Sequence, residues 1–119
     1  MTQVLDMEVV EELLTLMGDE DPELLLDLID MFQKDGPERV DKIEAAFAAG
    51  DYETLSEVAH SLKGSSGNLG VLNLQDSCDV LQVAGKKGDQ ATITAGMSSL
   101  RKHLDDGLSA LSEIQAKYG

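Results

Sequence analysis

The sequence predicts an all-α fold, an antiparallel four-helix bundle with an additional N-terminal helix. Aromatic residues make up only 3% of the 119-residue chain, and Leu, Ala, Glu and Asp dominate it. That composition, with no β-branched runs, favours helix over strand. Apolar residues recur at three- and four-residue spacing in nearly every segment. The breaks between segments are short, so consecutive helices should pack as antiparallel neighbours around one apolar seam.

Val9, Val10, Leu13 and Met17 set the first helix, which Gly18 closes. A second helix is expected to start at Asp21 and Pro22, a cap followed by a residue that has no N–H to leave unpaired. It presents Leu24, Leu25, Leu28, Ile29 and Phe32. Gly36-Pro37 then interrupts a pattern that resumes with Val40, Ile43, Ala46 and Phe47 and stops at Gly50. One kinked helix and two short ones fit this stretch equally well. Asp51 caps the next helix, which carries Leu55, Val58, Ala59, Leu62, Ser66 and Leu69 towards Gly70. Leu74, Cys78 and Leu81 mark a shorter helix ending near Gly85. Ile93, Met97, Leu100, Leu104, Leu108, Leu111 and Ile114 mark a long terminal one.

Charge and size exclude several functions. A net charge of -14 with only nine basic residues is the opposite of what a phosphate backbone rewards, so nucleic acid is excluded as a partner. A single cysteine, Cys78, can neither staple the fold nor complete a zinc site, and it sits on an apolar stripe as a core residue would. The first residues lack a basic stretch followed by an apolar run. No window approaches the roughly 20 apolar residues that cross a bilayer. These features predict a cytoplasmic protein without membrane contact. At this length the chain forms one domain, residues 1–119, too short to include an ATP-binding kinase domain as well.

The segment after Asp51 has an unusual wheel. Its apolar residues share one stripe, and His60 lies roughly 150° from the centre of that stripe at 100° per residue. Gly64 and Gly67 fall within about 40° of His60 by the same count. Each glycine inside a helix costs about 0.8 to 1.0 kcal/mol relative to alanine, and a solvent face gives no packing reason for one. If the helix runs through both, they give access: another protein's surface could approach the imidazole closely, and a tetrahedral group on the ring would meet no neighbouring Cβ. Alternatively, the two glycines mark an early helix end in a Gly-Ser loop over residues 64–70. Lys63, three residues beyond His60, is one turn away and could reach a dianion.

The run Ala59-His60-Ser61-Leu62-Lys63-Gly64-Ser65-Ser66-Gly67-Asn68-Leu69-Gly70 closely resembles the signature of histidine-containing phosphotransfer (HPt) domains. The Phe32 to Pro37 segment, the Ala49-Gly50-Asp51 turn and the Leu74, Cys78, Leu81, Gln82 pattern are similar to the family too, so the likeness covers almost the whole chain. The resemblance implies a stand-alone phosphorelay protein in which His60 accepts a phosphoryl group from a receiver-domain aspartate and passes it to another receiver. By the same resemblance Lys63 helps hold the phosphate and Gly64 keeps the approach open, a role the wheel extends to Gly67. Gln82, where many members have Glu or Gln, would hydrogen-bond the imidazole, and Lys86 is a further phosphate-positioning candidate. Ser61 after the histidine, with no Thr-Pro nearby, separates this chain from the dimerisation domain of a histidine kinase.

On this reading the chain is a phosphocarrier and not an enzyme. A neutral imidazole attacks phosphorus directly, and most of the positioning and charge neutralisation comes from the receiver and its Mg²⁺. The chain itself is expected to bind no cofactor and no metal. The expected partners are receiver domains of a hybrid sensor kinase and of a response regulator, met by a monomer. A hydrolase using His60 as general base lacks a partner residue and a water-excluding pocket. A plain helical adaptor leaves the glycines unexplained. His103, among Arg101, Lys102 and Asp105, has no metal-ligand spacing.

Overall fold

The computed structural model describes residues 4–16 and 22–119. They form α1 (Met7–Leu16), α2 (Glu23–Ala48), α3 (Tyr52–Asn68), α4 (Leu72–Lys87) and α5 (Gln90–Tyr118). Helix α2 packs on α3, α3 on α4, α4 on α5, and α5 returns to α2, which closes a four-helix bundle; α1 rests against α2. The seam is aliphatic, with Leu25, Ile43, Leu62, Leu81, Leu100 and Leu104 among its fully buried side chains. The expected stops and caps at Met17, Gly18 and Asp21 lie outside the described residues.

Helix α2 runs unbroken through Gly36-Pro37, which decides between the two readings of that stretch. Leu25, Ile29 and Phe32 before the proline, and Val40, Ile43 and Ala46 after it, are buried in phase on one side. A proline inside a helix costs about 3 kcal/mol, less than the burial of two such apolar faces returns. Gly36 contributes by its small size, since a Cβ there would stand 3.2 Å from Leu104 Cδ1 of α5.

Gly85 does not end α4. The helix continues to Lys87 and stops at Gly88, whose φ of 67° is left-handed. Gly85 is buried inside the helix, where an added Cβ would lie 3.0 Å from both Ser56 Cβ and the Tyr52 carbonyl oxygen. Its role is close approach of α4 to the start of α3, a demand that sequence spacing alone does not reveal. Likewise α5 begins at Gln90, capped by Asp89, before the first apolar residue of its stripe.

A short segment ahead of α1 clasps the turn between α3 and α4. Leu5 pairs with Val71 in an isolated antiparallel bridge, Asp6 N–H donates to the Gly70 carbonyl at 2.7 Å, and Leu72 N–H donates to the Val4 carbonyl at 2.9 Å. Gly70, at φ 70°, is the residue this approach requires, because a Cβ would lie 3.0 Å from the Asp6 carbonyl oxygen. On the far side of the bundle Arg101 of α5 pairs with Asp41, at 2.7 Å, and with Glu44 of α2. Cys78 is fully buried, and desolvation pushes its thiol up to about 12, in keeping with a core residue.

Two helix caps set a pH dependence. Asp51 accepts from Thr54 N–H at 3.1 Å and Asp89 from Thr92 N–H at 3.2 Å. Hydrogen bonds from the threonine side chain first, then from its backbone N–H, hold both carboxyls below the ordinary aspartate value. A carboxyl depressed on folding contributes stability that is present above the unfolded value, near about 3.9, and is lost as pH falls through the folded value. The Asp51→Asn/Asp89→Asn double variant is therefore expected to lose less thermal stability than the wild type when titrated from pH 5 to pH 2. Melts followed by circular dichroism would check it.

Candidate functional site

Helix α3 continues through Gly64 and Gly67 to Asn68, so the two glycines lie inside the helix and do not mark an early loop. Leu55, Ala59, Leu62 and Ser66 are buried on its inner side, and the Ser66 hydroxyl returns a 2.7 Å hydrogen bond to the Leu62 carbonyl. His60 is exposed on the outer side, as the wheel predicts.

The two glycines turn out to differ. A Cβ at Gly64 would meet nothing within 4 Å, so the surface one turn beyond His60 is open. A Cβ at Gly67 would come within 2.8 Å of Gln75 Nε2. Gly67 is thus half-covered by a side chain from α4, and its smallness seats Gln75. A wheel drawn for one helix cannot show what a neighbouring helix lays across it.

Gln75 belongs to a stripe on α4 that runs antiparallel to α3. Next along it, Asp79 receives an ion pair from Lys63, Nζ to Oδ1 at 2.8 Å. Then comes Gln82, whose backbone carbonyl accepts from the Ser56 hydroxyl at 2.8 Å. Lys86 ends the stripe. Ser56, Glu57, His60, Gln82 and Lys86 line one shallow depression between the helices. The structure therefore brings His60, Gln82 and Lys86 together. It turns Lys63 towards a carboxylate, and it places Gly64 at the open end. Lys87 adds a minor electrostatic contribution to the lowered carboxyl of Asp89, after the Thr92 hydrogen bonds.

Gln82 carries the most informative atom of the site. Its Oε1 is buried yet has no hydrogen-bond partner among the described residues. A buried acceptor left unpaired is costly, so this atom calls for a donor that the described residues do not supply. His60, whose imidazole can donate an N–H, lines the same depression as Gln82. Sequence reasoning missed Ser56 and Asp79. Ser56 sits on the edge of an apolar stripe, where a serine gives no signal. Asp79 is one acidic residue among the chain's 23.

The second histidine has a different setting. His103 Nδ1 shares a hydrogen bond with the Ser77 hydroxyl in a groove between α4 and α5, away from His60. No three His, Cys, Asp or Glu residues gather as metal ligands among the described residues. Among those residues no helix is long and apolar enough to cross a membrane.

Comparison with known proteins bears on this arrangement. Residues 27–114 match the family model for the Hpt domain. Over 72 residues the chain is 33% identical to the aerobic respiration control sensor protein ArcB of Escherichia coli O157:H7 and of strain K12. That alignment takes in 60% of this chain and 9% of the sensor, so the chain corresponds to a small part of those proteins. The crystal structure of histidine-containing phosphotransfer protein B from Pseudomonas aeruginosa PAO1 superposes with a TM-score of 0.89 at 26% identity, covering 100% of both chains. Histidine-containing phosphotransfer protein MtHPt2 from Medicago truncatula shares the fold, with a TM-score of 0.77 at 19% identity over 96% of this chain and 80% of that one. With the bundle matched end to end and the family model spanning α2 to α5, the chain belongs to the Hpt domain family of histidine phosphotransfer proteins.

Proposed function

We propose that this chain is a phosphorelay intermediate that takes a phosphoryl group on His60 from a receiver-domain aspartate and delivers it to another receiver. The observation that carries the reading is the placement of His60: an exposed imidazole with an unpaired buried acceptor, Gln82 Oε1, beside it and an open glycine, Gly64, one turn on. A ring nitrogen uses its lone pair to form the N–P bond as the acyl phosphate's O–P bond breaks, and the released electron pair leaves as the receiver's carboxylate. The ring becomes cationic on attack. Its remaining N–H then suits a hydrogen bond to Gln82 Oε1, which would hold the other nitrogen towards the incoming phosphorus.

Lys63 and Lys86 supply positive charge on either side of His60, within reach of the phosphoryl oxygens. His60 lies in a shallow, open depression, so chain and partner divide the work. The chain presents a nucleophile, and the docked receiver with its Mg²⁺ aligns and neutralises the transferring group. No cofactor of its own is required. We further propose that residues 1–119 act as one domain, as a monomer in the cytoplasm, meeting a hybrid kinase's receiver and a response regulator's receiver in turn.

Incubation with a ³²P-charged receiver domain and Mg²⁺ tests the proposal. Label that is acid-labile and alkali-stable is expected on the chain; no transfer from any receiver able to phosphorylate other family members would overturn it. The access argument is tested separately. Gly64→Leu is expected to slow transfer by up to about a hundred-fold, the scale on which a reacting pair held off by roughly 1 Å loses rate, with little change in melting temperature. Gly67→Leu should instead displace Gln75 and lower stability first. Stopped-time labelling and thermal melts of both variants distinguish the two effects.

A further inference from the structure

We infer that Asp79 is a positioning residue that competes with the phosphoryl group for Lys63, and so sets how far phosphate moves from a receiver onto this chain. The inference rests on the phosphocarrier reading of His60. Before transfer, the lysine closest along the helix to His60 already has an anionic partner: Lys63 Nζ lies 2.8 Å from Asp79 Oδ1, across the α3–α4 seam. Both side chains are partly solvated, 36% and 53% exposed, so the pair is weak enough to open.

Lys63 stands three residues after His60, where helical neighbours have Cβ atoms about 5–6 Å apart. One change of rotamer takes its ammonium from Asp79 to a phosphoryl oxygen on the ring. The phosphoryl dianion then gains a charge-assisted hydrogen bond, while Asp79 loses its counterion and faces a second anion at close range. Two terms therefore oppose loading of His60: the Lys63–Asp79 pair that must open, and the repulsion that follows. Atoms and charges balance as for the transfer itself, since Asp79 gives and takes no proton; only the lysine's partner changes. Of the other residues on this stripe of α4, Gln75 over Gly67 and the Gln82 carbonyl on Ser56 make neutral contacts and Lys86 is cationic, so Asp79 is the stripe's anionic residue and the one that meets Lys63.

The experiment uses a purified receiver domain that exchanges ³²P with the wild-type chain, and measures the equilibrium ratio of phosphorylated chain to phosphorylated receiver. Asp79→Asn is expected to shift that ratio about two- to five-fold towards the phosphorylated chain, the scale of a surface ion pair. The shift should shrink at about 1 M salt, where the Debye length is about 3 Å. Asp79→Glu, which keeps the charge, should restore the wild-type ratio. In a Lys63→Ala background the Asp79→Asn effect should fall, because no lysine remains to be exchanged. A ratio unchanged by Asp79→Asn, or a shift as large without Lys63 as with it, would overturn the inference while leaving the phosphocarrier reading intact. If no receiver loads the wild-type chain, the phosphocarrier reading falls first. A merely structural role for the pair would lower the melting temperature of Asp79→Asn without moving the ratio, and this outcome too would overturn the inference.

Discussion

His60→Gln is expected to take no label from a charged receiver, at any time or concentration, while melting at the wild-type temperature. The side chain is exposed on the outer face of α3, where substitutions usually change stability by less than about 0.5 kcal/mol. A glutamine keeps the length and polarity of the histidine and removes its nucleophilic nitrogen. The other histidine cannot stand in for it. His103 Nδ1 is engaged by Ser77 in a groove between α4 and α5, away from the site that a receiver would cover. Label persisting on His60→Gln would move the acceptor elsewhere and sink the proposal. Loss of label together with loss of fold would be excluded by the melt.

Leu62→Ala should have the opposite profile. Leu62 stands two residues from His60, on the inner side of the same helix, and is fully buried. Truncation of such a leucine costs about 2 to 5 kcal/mol, since the transfer term and the cavity add. Against a total stability of about 5 to 15 kcal/mol for a domain, that is a large fraction, and it should lower the melting temperature on the order of 10 °C. The molecules still folded should load His60 as fast as the wild type does, because nothing on the outer face has moved. Together the two variants separate chemistry from stability on the two sides of one helix. A Leu62→Ala protein that melted normally would show that the seam is not packed as described.

The bundle was legible because its information is local. The period of Leu55, Ala59, Leu62 and Ser66, the Asp51 cap and the glycines at 50 and 70 all act within a few residues of chain. What was not legible required a second helix. Gly85 reads as a stop until Ser56 and Tyr52 are placed against it. Gly67 reads as open until Gln75 lies over it. Gly36-Pro37 reads as a break until in-phase burial on both sides of it is seen to hold α2 together.

The candidate site divides in the same way. His60 and Gly64 were visible as positions on a wheel. Lys63 was visible as a charge but not as a charge already engaged, because its partner, Asp79, is 16 residues away and looks like any other acidic residue. Gln82 entered through family likeness alone; that its Oε1 is buried without a partner among the described residues has no signal in the sequence.

The exposed setting of His60 has a kinetic corollary for the proposed relay. On the proposed relay, a single imidazole lining one shallow depression gives donor and acceptor the same footprint, so they would be seated in turn and not together. Exchange must then follow a substituted-carrier scheme, with each partner acting as a competitive inhibitor of the other. Raising the abundance of an idle receiver would throttle the flow as effectively as removing the charged one, and the ratio of partners becomes a control in its own right.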